Sequence, residues 1–304
     1  MSSSKVPVSF LNGFSPRNGV IGVLGFPHGL DKRAEFTRFF TYIDGNWGAS
    51  DLEYQGKSLT SLTDASRGYR AWWLLGKNGE TTELTASGKV DEQIPGAGLN
   101  VAEPYGYVEV IRNIAGQLYV CGYGRQVYKR VGDDWISIAT DILTRETAKG
   151  FMDIAGISED QVYAVGWGGE IYFHDGRRWH KDDSPTTAHL TGVRCLENGQ
   201  VVVCGHKGVV LRGAFNLWEV VDDNGLNGNW YDIEVYGDTI YLAGNNQLAK
   251  VENDKIVPID IGIGRSVSTH KLHVKDGFLW SFGEDDIVVF DGQKWQEIIH
   301  PDNA

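Results

Sequence analysis

The 304-residue chain has no long hydrophobic run. None of its apolar stretches approaches the roughly 20 residues that cross a bilayer. The opening MSSSKVPVSF carries neither a long apolar segment nor the small-residue cleavage site of a secretory signal. These absences point to a cytoplasmic protein with no membrane partner. Cysteine is scarce as well: Cys121, Cys195 and Cys204 form an odd set, each inside an apolar strand-like run and none at metal-ligand spacing. They read as buried free thiols of a reducing compartment, with no metal and no cofactor. Basic charge is in deficit, with 28 Lys and Arg against 40 Asp and Glu and a formal net charge of −12. That balance disfavours nucleic acid as a partner and suits a basic protein.

Short β-branched and aromatic runs punctuated by glycine are what the chain has in abundance. VYAVGWGGEIYFHDGRRW, residues 162–179, shows the unit most clearly: an apolar run closed by Gly166, a short loop, a second run, then Asp-Gly and a tryptophan. This is the pattern of consecutive hairpins. Runs like VYAVG close at Gly25, Gly76, Gly122, Gly166, Gly205, Gly244 and Gly283. The last three intervals are each 39 residues and the earlier ones 51, 46 and 44. A period near 40 residues with several strands per repeat predicts an all-β, seven-bladed β-propeller of four-stranded antiparallel blades. Its single domain divides into blades at roughly 6–52, 57–95, 107–139, 151–182, 190–222, 230–260 and 270–299.

First strands fall at 152–154, 193–196, 231–235 and 271–274, and third strands at 127–129, 171–173, 209–211 and 287–290. Fourth strands open with Trp135, Trp179, Trp218 or Trp295, and Val257 and Lys89 take that place in the sixth and second copies. A recurring indole there is expected to seal the gap between adjacent blades. The segment 6–11 serves either as first strand of the first blade or as an outer strand added to the last, and the full set of strands near 295–299 favours the first. The chain is expected to be a monomer.

Surplus length collects in FPHGLDKRAEFTR, IPGAGLNVAEPYG and ATDILTRETAKG. In a propeller, the loops from second to third strands and from fourth strands to the next blade emerge on one face, where repeat proteins carry binding function. On that face the loops after the glycines present Lys77, Asn78, Tyr123, Arg125, Trp167, His206, Lys207, Asn245, Asn246, Glu284 and Asp285. These are the candidate partner-binding residues. Trp167 stands out, because most copies place a polar residue there.

The DGRRW at 175–179, the DGQKW at 291–295 and the shorter DGNW at 44–47 resemble the end of an Asp box. Together with the repeat they resemble the broad group of bacterial propellers described as WD-repeat, Asp-box or YVTN-like. The Ser/Thr lead of the Asp box and the Gly-His and Trp-Asp pairs of WD repeats are missing, so the resemblance implies architecture and little chemistry. No catalytic constellation stands out. His270 and His273, three apart on a strand, point to opposite faces and cannot share an ion. Glu284, Asp285 and Asp286 read as a solvated acidic turn. Sialidase-like hydrolysis needs convergent arginines, a tyrosine nucleophile and acid/base carboxylates, and Arg125, Tyr123 and Glu284 are the residues to cast in those roles. Propellers of this kind also resemble lectins and assembly factors. The expectation the residues favour is a non-enzymatic, protein-binding propeller, most concretely a bacterial immunity protein that neutralises a basic toxin or effector.

Overall fold

The computed structural model describes residues 5–31 and 33–304; residues 1–4, and Lys32 in the first insertion, lie outside that range. Among the described residues, twenty-eight strands form seven four-stranded antiparallel sheets, each built from consecutive strands running from the channel outward. The innermost strands are Val8–Arg17, Gly56–Asp64, Val108–Ile114, Phe151–Ser158, Leu190–Cys195, Trp230–Tyr236 and Lys271–Lys275. Second strands are apolar on both sides of the pleat because each sheet is sandwiched between two others. Val201–Gly205 is buried throughout.

The apolar clusters therefore lie between blades. One joins Val110, Tyr119 and Cys121 of the third blade to Phe151, Val162 and Trp179 of the fourth. The outer-strand tryptophans close these seams as expected, each reaching back to the preceding blade. Trp135 Nε1 donates to Glu92, Trp179 Nε1 to the Ile138 carbonyl at 3.0 Å, and Trp218 Nε1 to Asp182 at 3.0 Å. In the sixth blade the register differs from expectation. Val251 pairs with Ile256, as Gly213 pairs with Trp218 in the fifth. The wholly buried Ile256, and not Val257, thus takes the tryptophan position. The loop after Gly244 is one residue shorter than that after Gly205, which shifts the following strands by one, and a one-residue slip exchanges a strand's faces. Lys89 does hold that register in the second blade, where it stays exposed and reaches Asp91 at 3.1 Å.

Val8–Arg17 pairs with Val20–Pro27, so the ring closes without exchange of strands between the first and last blades. Side chains bind the two ends instead. Val8 N–H donates to Asn303 Oδ1 at 2.8 Å, and Asn303 Nδ2 donates to the Val8 carbonyl at 3.0 Å. His300 is buried among Phe10, Phe40 and Trp47.

Candidate partner-binding face

The recurring glycine at the end of each second strand has a local cause. A side chain at Gly166 would come within 1.9 Å of the Gly150 carbonyl, and one at Gly205 within 2.3 Å of the His189 carbonyl. In six of the seven copies the chain entering the innermost strand crosses over that position, and only glycine allows the approach; at Gly76 the side chains of Glu80 and Tyr54 take its place. At the same point the innermost strand carries one extra residue, a β-bulge. Leu190 pairs with Gly205 and Gly192 with Cys204, which leaves Thr191 unpaired, and the same interruption falls at Leu11, Lys57, Glu109, Met152 and Tyr231. Bulges re-aim side chains. Here these six, with His270, line a cavity of about 310 Å³ at the channel mouth on the insertion-bearing face. Lys57 pairs with Glu109 at 2.9 Å, and His270 Nε2 lies 2.9 Å from the Leu11 carbonyl oxygen.

Beside this mouth runs an arc of half-buried rings. Tyr123 lies 5.6 Å from Trp167, Trp167 4.4 Å from His189, His189 5.5 Å from His206, and His206 6.1 Å from Tyr231, measured between ring centres. Trp167 opens a single 3-10 turn, Trp167–Gly169, whose Gly168 N–H donates to His189 Nδ1 at 3.0 Å. Its indole Nε1 is buried without a hydrogen-bond partner, a cost the fold carries at this position. Burial, and then the neighbouring His189, lowers the pKa of His206, so the imidazole is neutral at pH 7. His189 and Tyr231 complete the arc but do not follow a glycine, which is why a reading restricted to those loops leaves them out.

The second and third insertions border the Tyr123 and Trp167 end of this arc, and the insertions are tied to each other through charged and aromatic side chains. Tyr105 and Tyr107 of the second insertion lie under cations, Arg145 at 4.5 Å and Lys77 at 5.6 Å. Lys77 also pairs with Glu35 of the first insertion at 2.9 Å, and Arg145 pairs with Glu103. Of the eleven candidate residues, three are used internally: Lys77 in the contacts just described, and Asn78 and Arg125. Asn78 is buried and its side-chain oxygen accepts from Leu99 N–H, anchoring the second insertion. Arg125 donates to both oxygens of Glu170, at 3.1 and 2.7 Å, and to the Ile142 carbonyl of the third insertion. Burial opposes ionisation of Glu170, but the hydrogen bonds from Arg125 and Lys149 outweigh it and hold the carboxyl below its ordinary value.

Tyr123, Trp167 and His206 meet in the arc, and Lys207 is exposed beside it. Asn245, Asn246, Glu284 and Asp285 are exposed on the far side of the mouth. Asp286 departs from the solvated turn expected of it, accepting from Ser268 N–H and Arg265 and lying buried. The geometry does not assemble the sialidase-like set. Arg125 is bound to Glu170, and burial raises the Tyr123 pKa, the opposite of what an activated nucleophile needs.

Deeper in the channel, charges alternate around the ring. Arg112 pairs with Asp153, Arg194 with Asp153, Asp232 and Glu234, at 2.6–3.0 Å. Asp153 and Asp232 each also accept the backbone N–H of the next innermost strand, from Val193 and Leu272. Burial opposes the charge of Arg194, yet the three carboxylates raise its pKa well above the ordinary value. The sequence signal for this ladder is the recurrence of Asp before isoleucine at 153–154 and 232–233, two repeats apart. Cys121 and Cys204 are buried, whereas Cys195 is partly exposed toward the channel. Burial raises all three thiols, Cys195 to about 12, so none is a reactive thiolate.

No protein-family model matches the sequence. Among solved structures the fold is shared with the WD40 β-propeller domain of Doa1, at 11% identity and a TM-score of 0.68 over 93% of this chain and 92% of that one. YCF48 bound to D1 peptide matches at 13% identity and 0.65, over 97% and 94%. Sqt1 from Chaetomium thermophilum matches at 9% and 0.65, over 99% and 87%. At such identities the likeness carries the fold alone. Sequence similarity carries more: over 228 residues, 74% of this chain and 74% of the relative, 32% of positions are identical to Immune protein Tsi7 of Pseudomonas aeruginosa PAO1. A propeller whose insertions border one aromatic arc is thus joined by sequence to a named relative, and the chain belongs to the family of the immune protein Tsi7.

Proposed function

We propose that this propeller is an immunity protein, binding a toxin inside the cytoplasm and holding it inactive in a stoichiometric, non-enzymatic complex. The single observation that carries the reading is the kinship with Immune protein Tsi7. The irregular aromatic arc beside three clustered insertions supports the insertion-bearing face as the contact surface. Identical sugar sites would repeat blade by blade, whereas this arc spans the third to sixth blades and has no counterpart at Asn245 or Glu284. One asymmetric protein surface fits such a site better. The net charge of −12 favours a basic toxin through long-range steering.

Co-expression with candidate toxins from the same cell tests the reading. The cognate toxin should arrest growth alone, lose that effect when the propeller is present, and co-elute with it from a size-exclusion column in a fixed ratio. Failure to protect against every candidate, with no co-elution, would remove the immunity reading.

A further inference from the structure

We propose that the arc formed by Tyr123, Trp167, His189, His206 and Tyr231 is a cation-accepting seam that takes an arginine side chain of the toxin; this rests on the immunity reading above. Elsewhere the chain covers several aromatic faces with its own cations. Arg130 covers Trp73 and Trp135, Arg125 covers Tyr172, Lys129 covers Tyr119, Arg145 covers Tyr105 and Lys77 covers Tyr107. Among the described residues, no lysine or arginine of this chain lies over Tyr123, Trp167 or Tyr231. These rings are only half buried, so each offers part of a face to solvent at the rim of the 310 Å³ mouth. Of the two imidazoles between them, burial holds His206 neutral, and His189 Nδ1 accepts the Gly168 N–H.

Indole and phenol faces attract cations through the ring quadrupole, and a planar guanidinium, being weakly hydrated, stacks on such faces more readily than an ammonium. Two carboxylates flank the setting, Glu109, which Lys57 already pairs, and Asp223. Glu109 is close enough to Tyr123 to raise its pKa further, and Asp223 packs against Gly208 in the loop after His206. The acidic balance of the whole chain favours a basic partner's approach to the same site. Trp167 is the centre of the seam, touching a ring on each side.

The test uses the full-length propeller and the toxin recovered by co-expression, with affinity measured by calorimetry. Trp167→Ala is expected to weaken binding at least tenfold. Trp167→Phe keeps a π face and removes the unpartnered N–H, so it should retain most of the affinity. Trp167→Arg places the cation within this chain and should abolish binding. Leu217→Ala, at an exposed position on the outer edge of the fifth blade, should leave affinity unchanged. Single arginine-to-alanine changes across the toxin should include one whose loss is not additive with Trp167→Ala in a double-mutant cycle. Thermal midpoints establish that each variant folds, and Tyr123→Leu and Tyr231→Leu replace Trp167→Ala should that variant not fold. Wild-type affinity in the Trp167 and tyrosine variants, or a toxin in which no arginine couples to Trp167, would overturn the seam while leaving the immunity reading intact. Failure of the wild-type protein to bind any toxin would instead remove the reading beneath it.

Discussion

Truncating Arg194 would leave three carboxylates facing one another inside the channel. Asp153 and Asp232 have side chains about 1% exposed, and Glu234 is nearly as enclosed. Arg194→Ala is expected to cost about 3–5 kcal/mol, the range for breaking a buried ion pair, read as a lowered urea midpoint. Combining it with Asp153→Asn, Asp232→Asn and Glu234→Gln should recover part of that loss. The recurrent Asp-Ile at 153–154 and 232–233 hints at the ladder, but its pairing was not legible, because a charged residue alternating with apolar ones on a strand reads as solvent-facing. Here the face lines a narrow channel, and the charges meet only when the ring closes. Asn78 and Arg125 were misleading in the opposite way. Both sit in loops that a repeat alignment places at the surface, but the insertions fold over them and take up their hydrogen-bonding groups. Trp167 was legible because it departs from the repeat.

Among elements, the bulge carried by six of the seven innermost strands is the most consequential. Glycine marks it in the sequence, but the bulge itself is silent there, since one extra residue in a short strand leaves the repeat period unchanged. Gly205→Ala should cost about 1–3 kcal/mol, the usual range for overpacking, because the added carbon would press on the His189 carbonyl. It should also weaken toxin binding beyond what the stability loss explains, since His189 belongs to the arc. A thermal melt and a binding isotherm on the same sample separate the two effects. The last blade offers a second prediction. Asn303→Ala removes both hydrogen bonds to Val8, worth about 1–3 kcal/mol when the partners are left unsatisfied. Hydrogen exchange should then quicken at residues 8–10 and 284–287, while blades three to five keep their protection. Blade count and strand order were legible because glycine and tryptophan recur. The register of the sixth blade was not, because Ile256 and Val257 are alike in character and only the turn length tells them apart.

At the scale of the whole molecule, imidazoles dominate the response to acid. Burial lowers the pKa of His174, His206, His270, His273 and His300, the fourth to about 3. The unfolded chain takes up protons near pH 6.5 where the folded protein does not, so stability is fully present above that value and falls as pH drops below it. Glu170 and Asp232 have lowered values in the fold, and their contribution persists until the pH falls through the carboxylate range. The thermal midpoint is therefore expected to be flat from pH 8 to 7 and to decline continuously from about 6.5 toward 4. His273→Asn should soften the upper part of that decline. The closed ring has one more implication, for handling the protein. Because Val8 and Asn303 are held together where innermost strands begin and outermost strands end, anything joined ahead of residue 5 or beyond residue 304 leaves from the side that bears the arc. An affinity tag on either end would share the side of the proposed docking surface. A tag inserted in the exposed turns at 115–116 or 237–238, on the opposite side, would leave it clear.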